Sequence, residues 1–361
     1  MEANRIRALI ALMALTLNAC AYDTRFEDCT VQCTTDMECP EDLACGTEGL
    51  CRTPGATETC SMVLETSPSC IGLAKTCGPN ADEDCCSTAE PIPGGTFFRS
   101  YDVAGDGMYP STSYPATVSP FVLDRFEVTV GRFRQFIEAN RGTQANPPPA
   151  GAGARRLNGA DGQGGWEESW NTNLTTDVTA LVAAVKCNSY ASWTDLPGTN
   201  ETLPINCVTW YEAFAFCTWD GGFLSSEAEW NFAAAGGSEQ RTYPWSLPPA
   251  TATVDCSFAN YSADCVNPPN GAVNRVGRES PKGDGKWKQA DFGGNVWEWT
   301  LDSYQSTYIN PCDDCAELED AALRVFRGGS FFGGSLRTGE RGGFSATRRV
   351  GNVGVRCVRA P

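Results

Sequence analysis

The sequence predicts a loop-rich α+β domain preceded by a small disulfide-rich segment. Ten cysteines crowd residues 21–90, a stretch with little apolar material for a core. Beyond it, three stretches combine helical apolar spacing with N-terminal capping residues, and the other apolar runs are short and bounded by turn residues. At 361 residues the chain can hold two domains and bury at least one sizeable core.

The N-terminus reads as an export signal. Arg5 and Arg7 precede an apolar run from Ala8 to Leu17, too short to span a bilayer and suited to a signal peptide. The run closes on "LNAC", which resembles the lipobox of bacterial lipoproteins. By that resemblance residues 1–20 form the signal and Cys20 becomes the lipidated first residue. Each buried acyl CH₂ would contribute ~0.8 kcal/mol to the anchor. Ordinary cleavage to a soluble secreted protein is the alternative. Either route leads out of the cytoplasm, and lipidation would hold the protein in the bacterial cell envelope, at the outer membrane, in the periplasm or on the cell surface. Of 19 cysteines, 18 remain once Cys20 is set apart (19 − 1), an even number that favours disulfides in an oxidising compartment.

Residues 21–90 carry 14 acidic and three basic side chains. Cys29, Cys33, Cys39, Cys45 and Cys51 keep the rhythm C-x3-C-x5-C-x5-C-x5-C, and Cys60, Cys70, Cys77, Cys85 and Cys86 follow less regularly. Cross-links worth ~2–4 kcal/mol each would hold such an acidic stalk or module together. Zinc held by four thiolates is the rival reading.

Composition changes near "PIPGGTFFRS", and a second domain is expected over residues 91–361. "VTVGRFRQFIEAN" places Val130, Phe133, Phe136 and Ile137 on one helical face with Thr129 as N-cap. "TWYEAFAFCTWDGG" sets Thr209 and Glu212 in capping-box spacing and stops at Gly221 and Gly222. "SEAEWNFAAAGG" repeats the device with Ser226 and Glu229 and ends at Gly236 and Gly237. A Gly/Pro/Ala-rich loop over residues 143–165 follows no core pattern.

Composition also excludes functions. The chain has no histidine, so Ser-His-Asp and Cys-His catalysis and His-ligated zinc or iron are ruled out. A net charge of −17 argues against binding nucleic acid, which needs a basic face, and against attraction to anionic lipid. Membrane association would come only through the lipid anchor.

The stretches "GGTFFRS", "LDRFEVTVGRFRQF", "LPINCVTWYEAFAFCTWDGGFLSSEAEWNFAAAGG", "YPW", "DFGGNVWEWTLD", "RVFRGGSF" and "VGVRC" occur in the order of one family. Together they resemble the formylglycine-generating enzyme, or sulfatase-modifying factor, family across nearly all of residues 91–361. The resemblance implies a C-type-lectin-like variant fold, rich in irregular structure and calcium. It also implies an activity that oxidises a cysteine of a sulfatase C-x-P-x-R motif with oxygen. The family's two reactive cysteines, which hold Cu(I), lie at the third and eighth positions after the Ser of R-G-G-S. Here those positions are Gly333 and Thr338. Neither can ligate a soft cation that prefers sulfur. No substitute is near, since all five methionines lie at or before Met108. Copper-dependent oxidation is therefore expected to be lost. Ser330 remains and, with no base available, reads as a hydrogen-bonding turn residue rather than a nucleophile.

The resemblance implies further pairings and ligands. Cys357 would pair with Cys217, while a second family disulfide, between the position of Ala234 and the reactive loop, is absent at both ends. Proximity alone suggests Cys187 with Cys207 and Cys256 with Cys265. "CDDC", Cys312 to Cys315, is a lone C-x-x-C without a thioredoxin-like setting. A structural calcium site maps onto Asp291, Gly294, Val296 and Glu298, with carboxylate and carbonyl oxygens suited to a hard cation. The alternative is that Trp297 and Trp299 are core anchors and Glu298 pairs with an arginine. A weaker first calcium site retains Asn260 and Tyr261.

From Arg324 to the end there are eight arginines and one acid, Glu340. Arg337, Arg341, Arg348 and Arg349 fall in the family's pocket loop. They either pair with acids elsewhere in the domain or, together with Ser330, frame a pocket for an anionic ligand. The expected function is ligand or peptide recognition by a monomeric envelope lipoprotein, its partner an exported protein, a peptide or a small anion. The alternatives are a divergent oxidoreductase of the family, still generating formylglycine on sulfatases, and a structural or adhesive surface protein.

Overall fold

The computed structural model describes residues 67–265, 273–319 and 321–360, together with residues 44–45, 51–52 and 54. The chain divides into two compact units, Met1–Glu65 and Thr66–Pro361. In the first, β1 (Ala44–Cys45) pairs antiparallel with β2 (Cys51–Arg52), with Cys45 and Cys51 at one register position of the backbone. The expected signal segment, residues 1–20 with Cys20, and Cys29, Cys33, Cys39 and Cys60, lie outside the described residues.

The larger unit begins at Thr66 rather than at residue 91, where the composition changes. Disulfides Cys70–Cys86 and Cys77–Cys85 staple the intervening segment. The Ser69 N–H donates to Asp220 Oδ1 at 2.9 Å, and the Ser69 hydroxyl accepts from Arg132 Nε at 3.0 Å. Cys77 and Cys85 pack in one apolar cluster with Phe126 and Val276. These partners are distant in sequence, so local composition could not place the boundary.

Helix α1 (Val130–Glu138) starts where Thr129 caps the Arg132 N–H, and its apolar face of Val130, Phe133, Phe136 and Ile137 is buried. Helix α2 (Val178–Ala184), capped by Asp177, has no counterpart among the sequence expectations. Only Leu181 of its seven residues is buried, so no apolar stripe marks it. Helices α3 (Trp210–Trp219) and α4 (Glu227–Ala234) both open with full capping boxes, Thr209 with Glu212 and Ser226 with Glu229.

Strands are short. β9 (Trp297–Ser303) lies central in a four-stranded sheet of order β11 (Gly342–Ser345), β10 (Leu323–Arg327), β9 and β12 (Val353–Val355). β10 runs antiparallel to β9 and β12 parallel to it. A second sheet sets β13 (Cys357–Arg359) between β5 (Val122–Leu123) and β8 (Phe223–Leu224). Among the described residues two hairpins complete the strands, β3 (Gly95–Phe98) with β4 (Pro115–Val118) and β6 (Arg155–Leu157) with β7 (Ala160–Gln163). The main core gathers Phe133, Phe136, Trp210, Phe214, Phe216 and Trp299 from α1, α3 and β9.

With so little regular structure, buried ion pairs do much of the cross-linking. Arg132 and Arg359 both face Asp124 and Asp220, with contacts of 2.5–2.9 Å. The capping-box acids serve twice: Glu212 also pairs with Arg349 at 2.5 Å, and Glu229 Oε2 accepts from Arg155 Nη2 at 2.7 Å. All twelve cysteines of the larger unit are in disulfides, which include Cys187–Cys207, Cys217–Cys357, Cys256–Cys265 and Cys312–Cys315. Cys315 and Cys312 are buried, and Arg99 Nη1 lies 3.3 Å from the Cys315 sulfur.

Candidate functional site

The loop after β10 turns inward at Ser330, which is fully buried. Its Oγ accepts from Asn352 Nδ2 at 3.2 Å and from the Phe332 N–H at 3.4 Å. These are contacts of a turn residue; among the described residues no base stands beside it. Gly333 closes the turn, its N–H donating to the Ser330 carbonyl at 2.9 Å with φ at +89°. A Cβ added there would meet only the Tyr261 carbonyl, at 3.7 Å, so the position has room but a backbone that favours glycine. Thr338 is buried and its polar atoms are committed. Its hydroxyl donates to the Arg241 carbonyl at 2.5 Å, and its own carbonyl accepts from Asn231 and Arg327, each at 2.8 Å. Glycine and a bonded hydroxyl do not fit copper, and no thiol of this unit is free to replace them.

The arginines of this loop do not converge. Arg337 pairs with Asp106 and, at 3.3 Å, with Asp102. Arg341 forks onto Glu227, both bonds at 2.7 Å, and donates to the Gln305 carbonyl, between the rings of Tyr304 and Tyr308. Arg349 closes on Glu212, while Arg348 is exposed with its guanidinium over Phe344. The expected pocket of Ser330, Arg337, Arg341 and Arg348 is therefore not assembled. Each inward guanidinium meets an acid contributed by another part of the chain, as buried charge requires.

An uncharged aromatic surface stands beside Ser330 instead. Tyr190 and Phe332 are 38% and 57% exposed, with ring centroids 4.6 Å apart, and Phe331 packs 4.6 Å behind Phe332. Next to Tyr190 opens a cavity of about 310 Å³, lined by Ser189, Ala191, Ser192, Trp193, Asn200 and neighbours that carry no charge. The segment that lines it is held in place by a polar clamp. Asn206 accepts from Ser192 through Oδ1 and donates through Nδ2 to the carbonyls of Tyr190 at 2.9 Å and Gly351 at 2.6 Å. The Cys187–Cys207 disulfide closes the segment that carries the wall. Sequence reading missed these residues because Tyr190 and Phe332 meet only through the fold.

Of the main calcium candidates, Asp291, Gly294 and Val296 lie on the turn into β9 and Glu298 within it. Gly294, at φ +100°, packs so closely that a Cβ would sit 2.5 Å from the Asn260 carbonyl. Asp291 Oδ2 accepts from the Gly277 N–H at 2.6 Å, and burial with the nearby Glu279 charge pushes its carboxyl up to about 8. Glu298 is committed to Arg356, at 2.7 Å, and to Trp230 Nε1, at 2.7 Å, so the arginine-paired alternative is realised for this residue. Glu127, unforeseen in the sequence, accepts from the Val296 N–H at 3.1 Å and Asn295 Nδ2 at 2.6 Å. Burial and the charges of Asp291 and Glu298 hold Glu127 well above the usual carboxylate range. The three acids face one buried cation, Arg356, and supply only hard oxygen donors, which fits calcium chemistry. Among the described residues, however, no three acidic side chains converge on a point, so carbonyls would have to complete a site. Asn260 is buried against Asn295, Tyr261 is half-buried, and residues 266–272 beyond them are outside the described set.

Comparison with known proteins agrees with this architecture. The chain is 29% identical over 294 residues to inactive C-alpha-formylglycine-generating enzyme 2 of Bos taurus, covering 74% of this chain and 86% of that one. It is also 29% identical over 294 residues to the formylglycine-generating enzyme of Streptomyces coelicolor, covering 74% and 87%. The solved structure of PvdO from Pseudomonas aeruginosa shares the fold, with a TM-score of 0.50 at 20% identity over 75% of this chain and 93% of that one. Residues 77–361 match the family described as sulfatase-modifying factor enzyme 1-like domain, and to that family the chain belongs.

Proposed function

We propose that this protein is an exported, lipid-anchored recognition protein whose domain binds an uncharged polypeptide segment and does not oxidise it. The observation that carries the reading is the pairing of losses and gains around Ser330. The two positions that would need thiolates hold Gly333 and a bonded Thr338, while Tyr190 and Phe332 present an exposed aromatic face beside an uncharged cavity. Aromatic side chains at a pocket mouth bury large area at low entropic cost and commonly anchor peptide recognition. An anionic partner is disfavoured because the inward arginines already have acids. Calcium, held by Asp291 and the carbonyls of Gly294 and Val296 with help from Glu127, would neutralise buried carboxylates and rigidify the turn into β9.

The test has two arms. A C-x-P-x-R peptide incubated with the protein, copper and oxygen should show no formylglycine by mass spectrometry; its appearance would restore the oxidase. Selection from a random-peptide display library should enrich uncharged sequences whose binding is lost on Phe332→Ser. Enrichment of nothing, or of peptides indifferent to that change, would remove the recognition role.

A further inference from the structure

The Gly/Pro/Ala-rich loop over residues 143–165, which no core pattern explained, builds a second cavity. Gly151, Gly162, Gln163, Gly164 and Gly165 form one wall, and Trp166, Glu167, Trp170, Leu301, Leu318 and Arg324 form the others, around about 360 Å³. That volume lies within the ~300–1,000 Å³ typical of small-molecule sites. The cavity shares no lining residue with the one beside Tyr190. It opens where Arg324 pairs with Ser303 in the β9–β10 ladder, whereas Ser330 follows the opposite end, where Arg327 pairs with Glu298.

The walls have a definite chemistry. Trp166 is buried and its Nε1 donates to Asn171 Oδ1 at 2.8 Å, so it acts as a fixed backing. Trp170 stands against it edge-on at 5.5 Å and is half-buried, leaving part of its indole on the cavity. Leu301 and Leu318 continue the apolar side. Of the glycines, Gly164 packs on Leu301 and Leu318, whereas Gly151 and Gly162 have open space where a side chain would stand and so offer bare peptide groups; Gln163 and the exposed Glu167 add an amide and a carboxylate. The single acid is balanced by Arg324, stacked 4.1 Å over Trp210 and donating to the Leu301 carbonyl. A cavity with one apolar aromatic side, one side of peptide, amide and carboxylate groups, and no net charge matches a ring that has a C–H face and a hydroxylated rim.

We infer that the cavity beneath the 143–165 loop is a binding site for a neutral saccharide, its ring lying on Trp170 and its hydroxyls reaching Glu167, Gln163 and the glycine backbone. The loop is held for this purpose at its base. The Gly151 N–H donates to the Trp166 carbonyl at 2.8 Å, and the Trp166 N–H to that of Ala152 at 2.9 Å. Arg155 ties the hairpin to Glu229 of the α4 capping box.

Calorimetric titration of the full chain with cellobiose, maltose and N,N′-diacetylchitobiose at millimolar concentration tests this. At least one should bind saturably, with quenching of tryptophan fluorescence. Trp170→Ala should weaken that binding by about tenfold or more. Because Trp170 also packs on Trp210 and Phe214, the exposed Glu167→Ala serves as the second variant and should weaken binding several-fold with an unchanged melting temperature. Absence of binding by all three sugars, affinity unaltered in Glu167→Ala, or saturable binding of an apolar amine such as tryptamine in their place would overturn the assignment. Phe332→Ser should leave sugar binding intact, so this result stands apart from the peptide reading.

Discussion

Arg341 decides between the two roles open to the C-terminal arginines, and Arg341→Ala is the perturbation that separates them. In the structure its guanidinium makes two 2.7 Å bonds to Glu227, a third of 2.7 Å to the Gln305 carbonyl, and stacks within 4.6 Å of Tyr304 and Tyr308. Both ion-pair partners are largely buried, at 14% and 4% side-chain exposure. Breaking a buried pair from one side costs ~3–5 kcal/mol because the remaining charge is stranded. Here Glu227 keeps Arg327 at 3.3 Å, which places the expected loss at the lower end, about 3 kcal/mol. Urea unfolding with disulfides intact measures it by linear extrapolation. A cycle with Glu227→Gln should return a coupling of ~1–3 kcal/mol. A loss below ~0.5 kcal/mol, as for a free surface residue, together with weakened binding of an acidic peptide would refute the structural role.

Three further expectations follow from the same geometry. Asp302 is raised to about 7 by burial and the Glu227 charge, so the folded state holds a proton that the unfolded state releases above ~4. Stability from this group should therefore fall as pH rises between about 4 and 7, and Asp302→Asn should flatten that limb of a urea-midpoint profile; an unchanged slope would contradict it. Calcium at a hundredfold excess over its dissociation constant should add ~2.7 kcal/mol, so a chelator should lower the melting temperature, and no shift would remove the site. The double variant Gly333→Cys with Thr338→Cys should bind Cu(I) where neither single variant does. It should still fold despite ~1–3 kcal/mol of backbone strain at φ +89°; stoichiometric copper on the unaltered protein would refute the loss of the reagent.

Legibility followed the range of the interaction that set each feature. The helices at Val130, Trp210 and Glu227 were readable because a cap and an apolar stripe act within a few residues. The helix at Val178 escaped because one buried leucine makes no pattern, although Asp177 as its cap was available as a signal. Glu127 drew no notice, since its importance comes from Asp291 and Glu298 brought near it by folding. The segment containing Cys70 to Cys86 looked like part of a cysteine module. Its disulfides are local, but Ser69 is anchored on Asp220 and Arg132, far along the chain.

The sequence by itself determined an inventory: no histidine, no cysteine at positions 333 and 338, an acidic balance, and capped helices. Reagents and caps are properties of residue identity at one place, so they need no coordinates. Only the tertiary structure decided which acid each arginine meets, that Tyr190 and Phe332 share a face, and that a glycine-rich loop encloses two tryptophans. A guanidinium takes any carboxylate the fold brings within reach, and a ring stacks on any neighbour of suitable shape. For Arg337, Arg341 and Arg349, and for Tyr190 with Phe332, the partner lies more than a hundred residues away, and no local pattern records the choice.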